Sequence, residues 1–211
     1  MAILVGAGIG ATALGAASEL PTTIRAVSWG ALMISVALMC FAGALAAGAS
    51  APPATLLKLT APVRPLRSSQ LALAVAGMLA LSHAMSLILI ATGLHEASVL
   101  ARVDELLAQA SASESMEAIF AMALAPALAE EIFFRGALLG ALSQRLGAGW
   151  GLLLSSLLFG ILHLDPAQGG AAVILGLYLG ALTLRTGSIH AAILCHGVNN
   201  LAAILGGLWA P

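Results

Sequence analysis

Long apolar stretches, nearly free of charge, fill most of this sequence. Only 8% of its 211 residues are charged, whereas soluble domains carry about 25% charged residues. The 8 basic and 9 acidic side chains are too few to cover the surface of a water-soluble globule. A lipid bilayer requires no such polar surface. The chain is therefore predicted to be an integral membrane protein.

The apolar stretches have the length of transmembrane helices, which need about 20 mostly apolar residues. About seven spans (six to eight) are predicted, near residues 2–18, 26–49, 70–93, 118–142, 149–164, 169–185 and 188–208. No internal repeat divides them. The predicted fold is an all-α, polytopic transmembrane helical bundle, in which residues 1–211 form a single membrane domain.

Two connections between the predicted spans are long and carry opposite charge. Residues 50–69 contain four prolines and three basic residues, and basic loops favour the cytoplasmic side. Residues 94–117 contain five acidic residues, and the apolar spacing at Val99, Val103 and Leu107 predicts an amphipathic helix at the opposite surface. The Ala, Gly and Leu content suggests a multi-pass protein of a bacterial inner membrane.

Three charged residues, Glu130, Glu131 and Arg135, interrupt the predicted span 118–142. Each costs about 2.5–3.5 kcal/mol in a membrane helix, and such residues usually have a function. Glu131 precedes Arg135 by four residues, the favourable order for an ion pair on one helix face. Glu130 points about 100° away. It has no cation of its own in this span and is the candidate general base. A purely structural cluster would leave Glu130 without a partner.

Two later spans carry polar residues at the same four-residue spacing. Phe159 and His163 lie near the end of one span, and His196 and Asn200 share a face of the last one. Imidazoles and amides in membrane helices often only link neighbouring helices. Placed near Glu130, His163 would be its partner. His196 and Asn200 would then serve as hydrogen-bond donors to an oxyanion.

These patterns, in this order, resemble the CPBP family, the CAAX-protease and bacteriocin-processing group of intramembrane endopeptidases. The similarity is EExxxR from Glu130, FxxxH from Phe159 and HxxxN from His196, all within residues 118–205. The resemblance implies an all-helical fold and hydrolysis of a peptide bond inside the membrane. The first 110 residues contribute only their hydropathy to it.

The resemblance also implies a role for each motif residue. Glu130 and His163 would activate water, and His196 and Asn200 would stabilise the oxyanion. The catalytic helix would be supported by Glu131, Arg135 and Phe159.

Metal dependence has two interpretations at this stage. A glutamate–histidine pair can activate water without a metal, and no HExxH motif is present. We therefore expect a glutamic-type protease without a cofactor. The alternative is a zinc ion held by Glu130, His163 and His196, because two imidazoles and a carboxylate can leave a position open for water.

The expected partners are membrane lipid and a peptide or protein substrate with a membrane-associated segment. A net charge of −1 provides no basic field for nucleic acid. Three substrates fit: a prenylated C-terminus, a bacteriocin or pheromone leader, and the C-terminal sorting or anchor segment of an exported protein. The last is preferred for a site that opens outward. The competing interpretation is a non-catalytic scaffold or transporter, although the two similar halves typical of transporters are not visible.

Overall fold

All regular secondary structure in the described residues is helical. The computed structural model describes residues 24–47 and 52–208, and in these ranges it contains helices and no strand. The helices are α1 (Ile24–Ala47), α2 (Pro53–Leu56), α3 (Ser68–Ala91), α4 (Val99–Ala108), α5 (Ala112–Ala118), π1 (Ile119–Leu124), α6 (Ala125–Glu130), π2 (Glu131–Leu138), α7 (Leu139–Leu146), α8 (Ala148–Ile161), α9 (Pro166–Thr186) and α10 (His190–Leu208). The predicted all-α fold is confirmed for this part. The predicted span 2–18 lies outside the described residues.

Within residues 24–47 and 52–208, three stretches are long and apolar enough to cross a membrane: Ile24–Ala44 in α1, Ser68–Ala91 in α3 and Pro166–Thr186 in α9. The prediction of about seven spans is not confirmed. Helix α8 is apolar but has 14 residues, which rise about 21 Å against a hydrocarbon core of about 30 Å. The predicted span 118–142 contains three charged residues and two π-helical segments, π1 and π2.

Residues 112–146 form a continuous helical rod in which wider π-helical turns alternate with α-helical ones. Backbone dihedrals stay right-handed at the junctions, for example φ −67° and ψ −39° at Glu131. Pro126 is the second residue of α6, which follows π1. Its ring and missing N–H disfavour ordinary α-helical bonding with the turn before it. π-Helical turns occur often at functional sites. Their position beside Glu130 therefore supports a functional role for this residue.

Helices α8 and α9 form a hairpin, and the two helices cross where a glycine of each meets the other. A Cβ atom on Gly160 would lie 2.6 Å from the carbonyl oxygen of Gly169, and one on Gly169 would lie 2.7 Å from that of Gly160. Only glycine permits this approach of the two backbones. The turn then passes through Leu164 at φ 56°. The crossing fixes the position of His163, which lies in this turn.

The predicted amphipathic helix is present as α4. Its apolar residues Leu100, Val103 and Leu107 are buried, and its other face is more exposed. Val103 and Leu107 pack in one cluster with Met122 of π1 and Ile204 of α10. Helix α4 therefore covers one end of the bundle formed by the motif-bearing helices.

The proline-rich connection packs against the opposite end of the rod. The Ile189 N–H donates to the Lys58 carbonyl at 3.2 Å, and the Arg64 N–H donates to the Thr186 carbonyl at 3.2 Å. A Cβ on Gly136 would lie 2.6 Å from the carbonyl oxygen of Leu57. These contacts attach the connection to π2 and to the start of α10.

Candidate active site

The carboxylate of Glu131 connects two of the three motifs. Arg135 Nη1 donates to Glu131 Oε1 at 2.9 Å, and His196 Nδ1 lies 2.8 Å from the same oxygen. All three side chains are at most 1% exposed. The pairing of Glu131 with Arg135 is as the sequence spacing predicts. The participation of His196 was not predicted, because it depends on how α10 packs against the rod.

Phe159 lies at the centre of the cluster and contacts residues from all three motifs. The Arg135 guanidinium carbon stands 4.2 Å from the centre of its ring. The ring centroids of His163 and His196 are 5.0 Å and 6.1 Å from that of Phe159, in edge-on orientation. Phe159 is fully buried. Its ring therefore holds the arginine and both histidines at fixed relative positions.

Gly176 of α9 is a site residue that motif spacing did not reveal. Its carbonyl accepts a hydrogen bond of 3.4 Å from Arg135 Nη2. A Cβ at this position would lie 3.3 Å from Arg135 Nη2 and 3.2 Å from Phe159 Cδ1. The only signal in the sequence was its place among the glycines of a helix, which more often serve helix packing.

Hydrogen bonding at Nδ1 fixes the tautomer of both motif histidines. His163 Nδ1 lies 2.8 Å from the Phe159 carbonyl oxygen, which can only accept a hydrogen bond. His196 Nδ1 faces the Glu131 carboxylate in the same way. In a neutral imidazole with its proton on Nδ1, Nε2 carries the lone pair. Both Nε2 atoms are buried without a hydrogen-bond partner among the described residues.

Glu130 and Asn200 add further buried polar atoms that have no hydrogen-bond partner among the described residues. Glu130 is 1% exposed, and its Oε2 lies 3.7 Å from His196 Nε2, beyond hydrogen-bond distance. Both amide atoms of Asn200 are buried, and neither has a hydrogen-bond partner in the described part of the chain. Buried unpaired polar atoms are rare in native proteins, and catalysis is one accepted reason for them.

Helix packing brings the first and last motifs to the same region. Glu131 contacts His196. Two turns later in α10, Ile204 packs in one cluster with Met122, which precedes Glu130 in the rod. Helix α10 therefore runs antiparallel to the rod. Asn200, one turn after His196, lies on the α10 segment that passes α6.

The residues of the zinc alternative do not form a ligand set in this geometry. Zinc requires its ligand atoms about 2.0–2.2 Å from one point. Within residues 24–47 and 52–208, no three His, Cys, Asp or Glu side chains are grouped so that they could hold a metal ion. No catalytic step is therefore assigned to a metal here.

Asp165 was also missed as a candidate, and it joins the His163 turn to two helices. Its Oδ1 accepts from the Gln168 N–H at 2.8 Å, which caps α9, and its Oδ2 accepts from the Val99 N–H at 3.0 Å, at the start of α4. One carboxylate thus serves two helix N-termini, where negative charge is stabilising. The sequence signal was an N-cap Asp followed by Pro166.

Replacing Asp165 with asparagine should lower kcat more than it changes KM. An amide keeps one acceptor oxygen, so one of the two helix N-termini loses its partner and the adjacent His163 is less well positioned. Cap loss alone costs about 1 kcal/mol of stability. Steady-state kinetics of Asp165→Asn and Asp165→Ala should show a graded loss of kcat. Glu96→Gln, which alters an exposed carboxylate in the turn before α4, is the matched control. Unchanged kcat in Asp165→Asn would contradict this role.

Comparison with known proteins agrees with the motif geometry. Residues 112–202 match the family described as type II CAAX prenyl endopeptidase Rce1-like. Neither the curated proteins nor the solved structures gave a match to the chain. The matched segment runs from α5 to α10 and contains every motif residue. Together with the three apolar helices, the match indicates an integral membrane protein. Over residues 112–202, less than half of its length, the chain is therefore similar to the Rce1-like family of type II CAAX prenyl endopeptidases.

Proposed function

We propose that the protein hydrolyses a peptide bond of a membrane-associated substrate with water activated by Glu130 and His163. The supporting observation is the pair of buried acceptors, Glu130 Oε2 and His163 Nε2, which have no hydrogen-bond partner in the described part of the chain. Both lie within residues 112–202, which match a family described as prenyl endopeptidases. An acceptor of this kind can take a proton from an attacking water.

In the proposed reaction, the water oxygen attacks the scissile carbonyl carbon as its proton passes to Glu130 or His163. The new C–O bond leaves negative charge on the former carbonyl oxygen. Collapse of this intermediate breaks the C–N bond. The stored proton is then transferred to the leaving amine nitrogen, so the base ends the cycle in its starting state.

Asn200 is the better of the two proposed oxyanion donors. Its amide N–H groups are buried and unpaired, so they can be directed at a substrate oxygen. His196 uses Nδ1 towards Glu131, so its Nε2 can donate only when the ring is an imidazolium. We therefore assign the main oxyanion contact to Asn200. His196 also connects α10 to the Glu131–Arg135 pair.

We propose that the reaction needs no metal ion and that Glu131, Arg135 and Phe159 act as supports. Glu131 is already shared by Arg135 and His196 through one oxygen, so it is engaged in holding the helices together. Phe159 stacks against Arg135. Glu130 and His163 then supply the acid–base chemistry.

For the substrate, we propose the C-terminal sorting or anchor segment of an exported protein. In the proposed orientation the basic connection 50–69 is cytoplasmic. The His163 turn and the acidic connection 94–117 would then lie near the outer face. We further propose about seven spans in the inner membrane of a bacterium, with membrane lipid as the surrounding partner. The family description names a prenyl endopeptidase, so a prenylated C-terminus is the substrate to test against.

A substrate panel in proteoliposomes tests this function. We expect the purified protein to cleave a reporter that carries a C-terminal transmembrane anchor in preference to a farnesylated peptide or a leader peptide. Cleavage should continue after dialysis against a strong chelator, with well under one zinc per chain by elemental analysis. Preference for the farnesylated peptide would overturn the substrate assignment. Activity lost on chelation and restored by zinc would overturn the metal-free mechanism. Tight binding without cleavage of any member would favour a scaffold or transporter.

A further inference from the structure

An apolar groove runs along the first three turns of α3, on the side that faces α10. Its volume is about 500 Å³. The lining residues are Ser68, Leu71, Ala72, Val75, Ala76, Leu79 and Leu194. None of them belongs to the three motifs. Because α3 is long and apolar enough to cross a membrane, the groove is expected to face acyl chains.

A second cavity of about 270 Å³ adjoins the groove at its Ser68 end, and the two share Leu71 and Leu194. The polar side chains of Ser188 and His190 line this cavity, together with prolines of the 50–69 connection. The groove is thus lined mainly by apolar side chains, and a cavity with polar side chains adjoins it at the Ser68 end.

Basic residues cluster at this polar end. Arg64 and Arg67 flank the lining residues Pro65 and Leu66 and are exposed, and Arg185 is exposed directly before the lining residue Thr186. The Arg64 N–H donates to the Thr186 carbonyl, which fixes the connection against the end of α9. The sequence has no Asp or Glu between residues 52 and 95 or after residue 165. The polar end is therefore positively charged.

The length of the groove matches one leaflet of a bilayer. From Ser68 to Leu79 the helix rises about 16 Å at 1.5 Å per residue. Half of a hydrocarbon core of about 30 Å is about 15 Å. A chain lying in the groove would therefore start at the basic end, at headgroup depth, and end near the bilayer midplane.

We propose that this groove is a binding site for an anionic phospholipid. One acyl chain lies against Leu71, Val75 and Leu79, and the phosphate lies between Arg64 and Arg67. Arginine suits this role because its planar guanidinium forms paired hydrogen bonds with phosphate. The site is independent of the proposed catalytic chemistry.

Native mass spectrometry of the full chain, released from detergent with defined lipids, tests the proposal. Phosphatidylglycerol should bind more tightly than phosphatidylcholine with identical acyl chains. The Arg64→Gln/Arg67→Gln double variant should reduce this preference by about 25-fold, at roughly fivefold per arginine. Arg145→Gln, which removes an exposed arginine outside the groove, should leave the preference unchanged.

A second pair of variants tests the acyl-chain part of the site. Ala76→Trp fills the groove and should reduce binding of both lipids, whereas Leu73→Trp, on the exposed face of α3 outside the groove, should not. Equal binding of the two lipids by the unaltered protein would overturn the proposal. So would unchanged lipid binding in Ala76→Trp. A shift of Ala76→Trp from dimer to monomer, without loss of lipid, would identify the groove as a contact between two copies of the chain.

Discussion

Glu130→Gln is expected to lower peptide cleavage by about 10²–10⁴-fold, the usual contribution of a general base, while the protein stays folded. Glutamine keeps the size of the side chain but cannot take up a proton from water. Glu130 Oε2 has no hydrogen-bond partner in the described structure, so the substitution breaks no hydrogen bond of that oxygen. Turnover of a membrane-anchored reporter and the thermal unfolding midpoint should be measured on the same preparation.

Glu131→Ala provides the contrast, because the adjacent carboxylate has a different role. It would leave the buried Arg135 guanidinium without its ion-pair partner and remove the hydrogen bond to His196. Breaking a buried pair in this way costs about 3–5 kcal/mol. We therefore expect loss of both stability and activity in Glu131→Ala, against loss of activity alone in Glu130→Gln. Wild-type turnover in Glu130→Gln would exclude Glu130 as the base.

Asn200→Ala is expected to reduce kcat by about 10²–10³-fold with little change in KM. A donor to the oxyanion acts mainly in the transition state, and loss of one such donor has an effect of this size. The amide of Asn200 is buried and has no hydrogen-bond partner in the part of the chain that the structure describes, so it is the main donor in the proposed mechanism. Single-turnover cleavage would measure the chemical step, and a separate binding assay would measure the affinity for substrate.

Cys195→Ala is the matched control for Asn200→Ala. Cys195 is also buried on α10 and directly precedes His196. It should retain most of the activity, since a water-activating site needs no thiol nucleophile. A variant of Asn200 that only weakens substrate binding would make this residue part of substrate recognition instead.

Local geometry explains which parts of the site were predictable. Glu131 and Arg135 are one helical turn apart, so their contact follows from helix formation alone. The contact between Glu131 and His196 joins residues 65 positions apart, and it depends on the antiparallel packing of α10. The same limit applies to Gly176, whose carbonyl reaches Arg135 only through the packing of α9.

The fold shows the same division between local and long-range information. Helices α1, α3 and α8–α10 lie where apolar stretches predicted them, and the apolar spacing at Val103 and Leu107 predicted the buried face of α4. Apolarity did not predict the π-helical turns beside Glu130 or the close approach of α8 and α9 at Gly160 and Gly169. The close approach joins two helices and therefore depends on their packing.

The short helix α8 has a consequence for the membrane itself. Its 14 residues rise about 9 Å less than the thickness of an average hydrocarbon core. A bilayer adapts to a short apolar element by thinning around it. The His163 turn, at the end of α8, would then lie at the edge of a local depression in the lipid. Water and an extended peptide would have a shorter distance to travel to the active site there than through undisturbed bilayer.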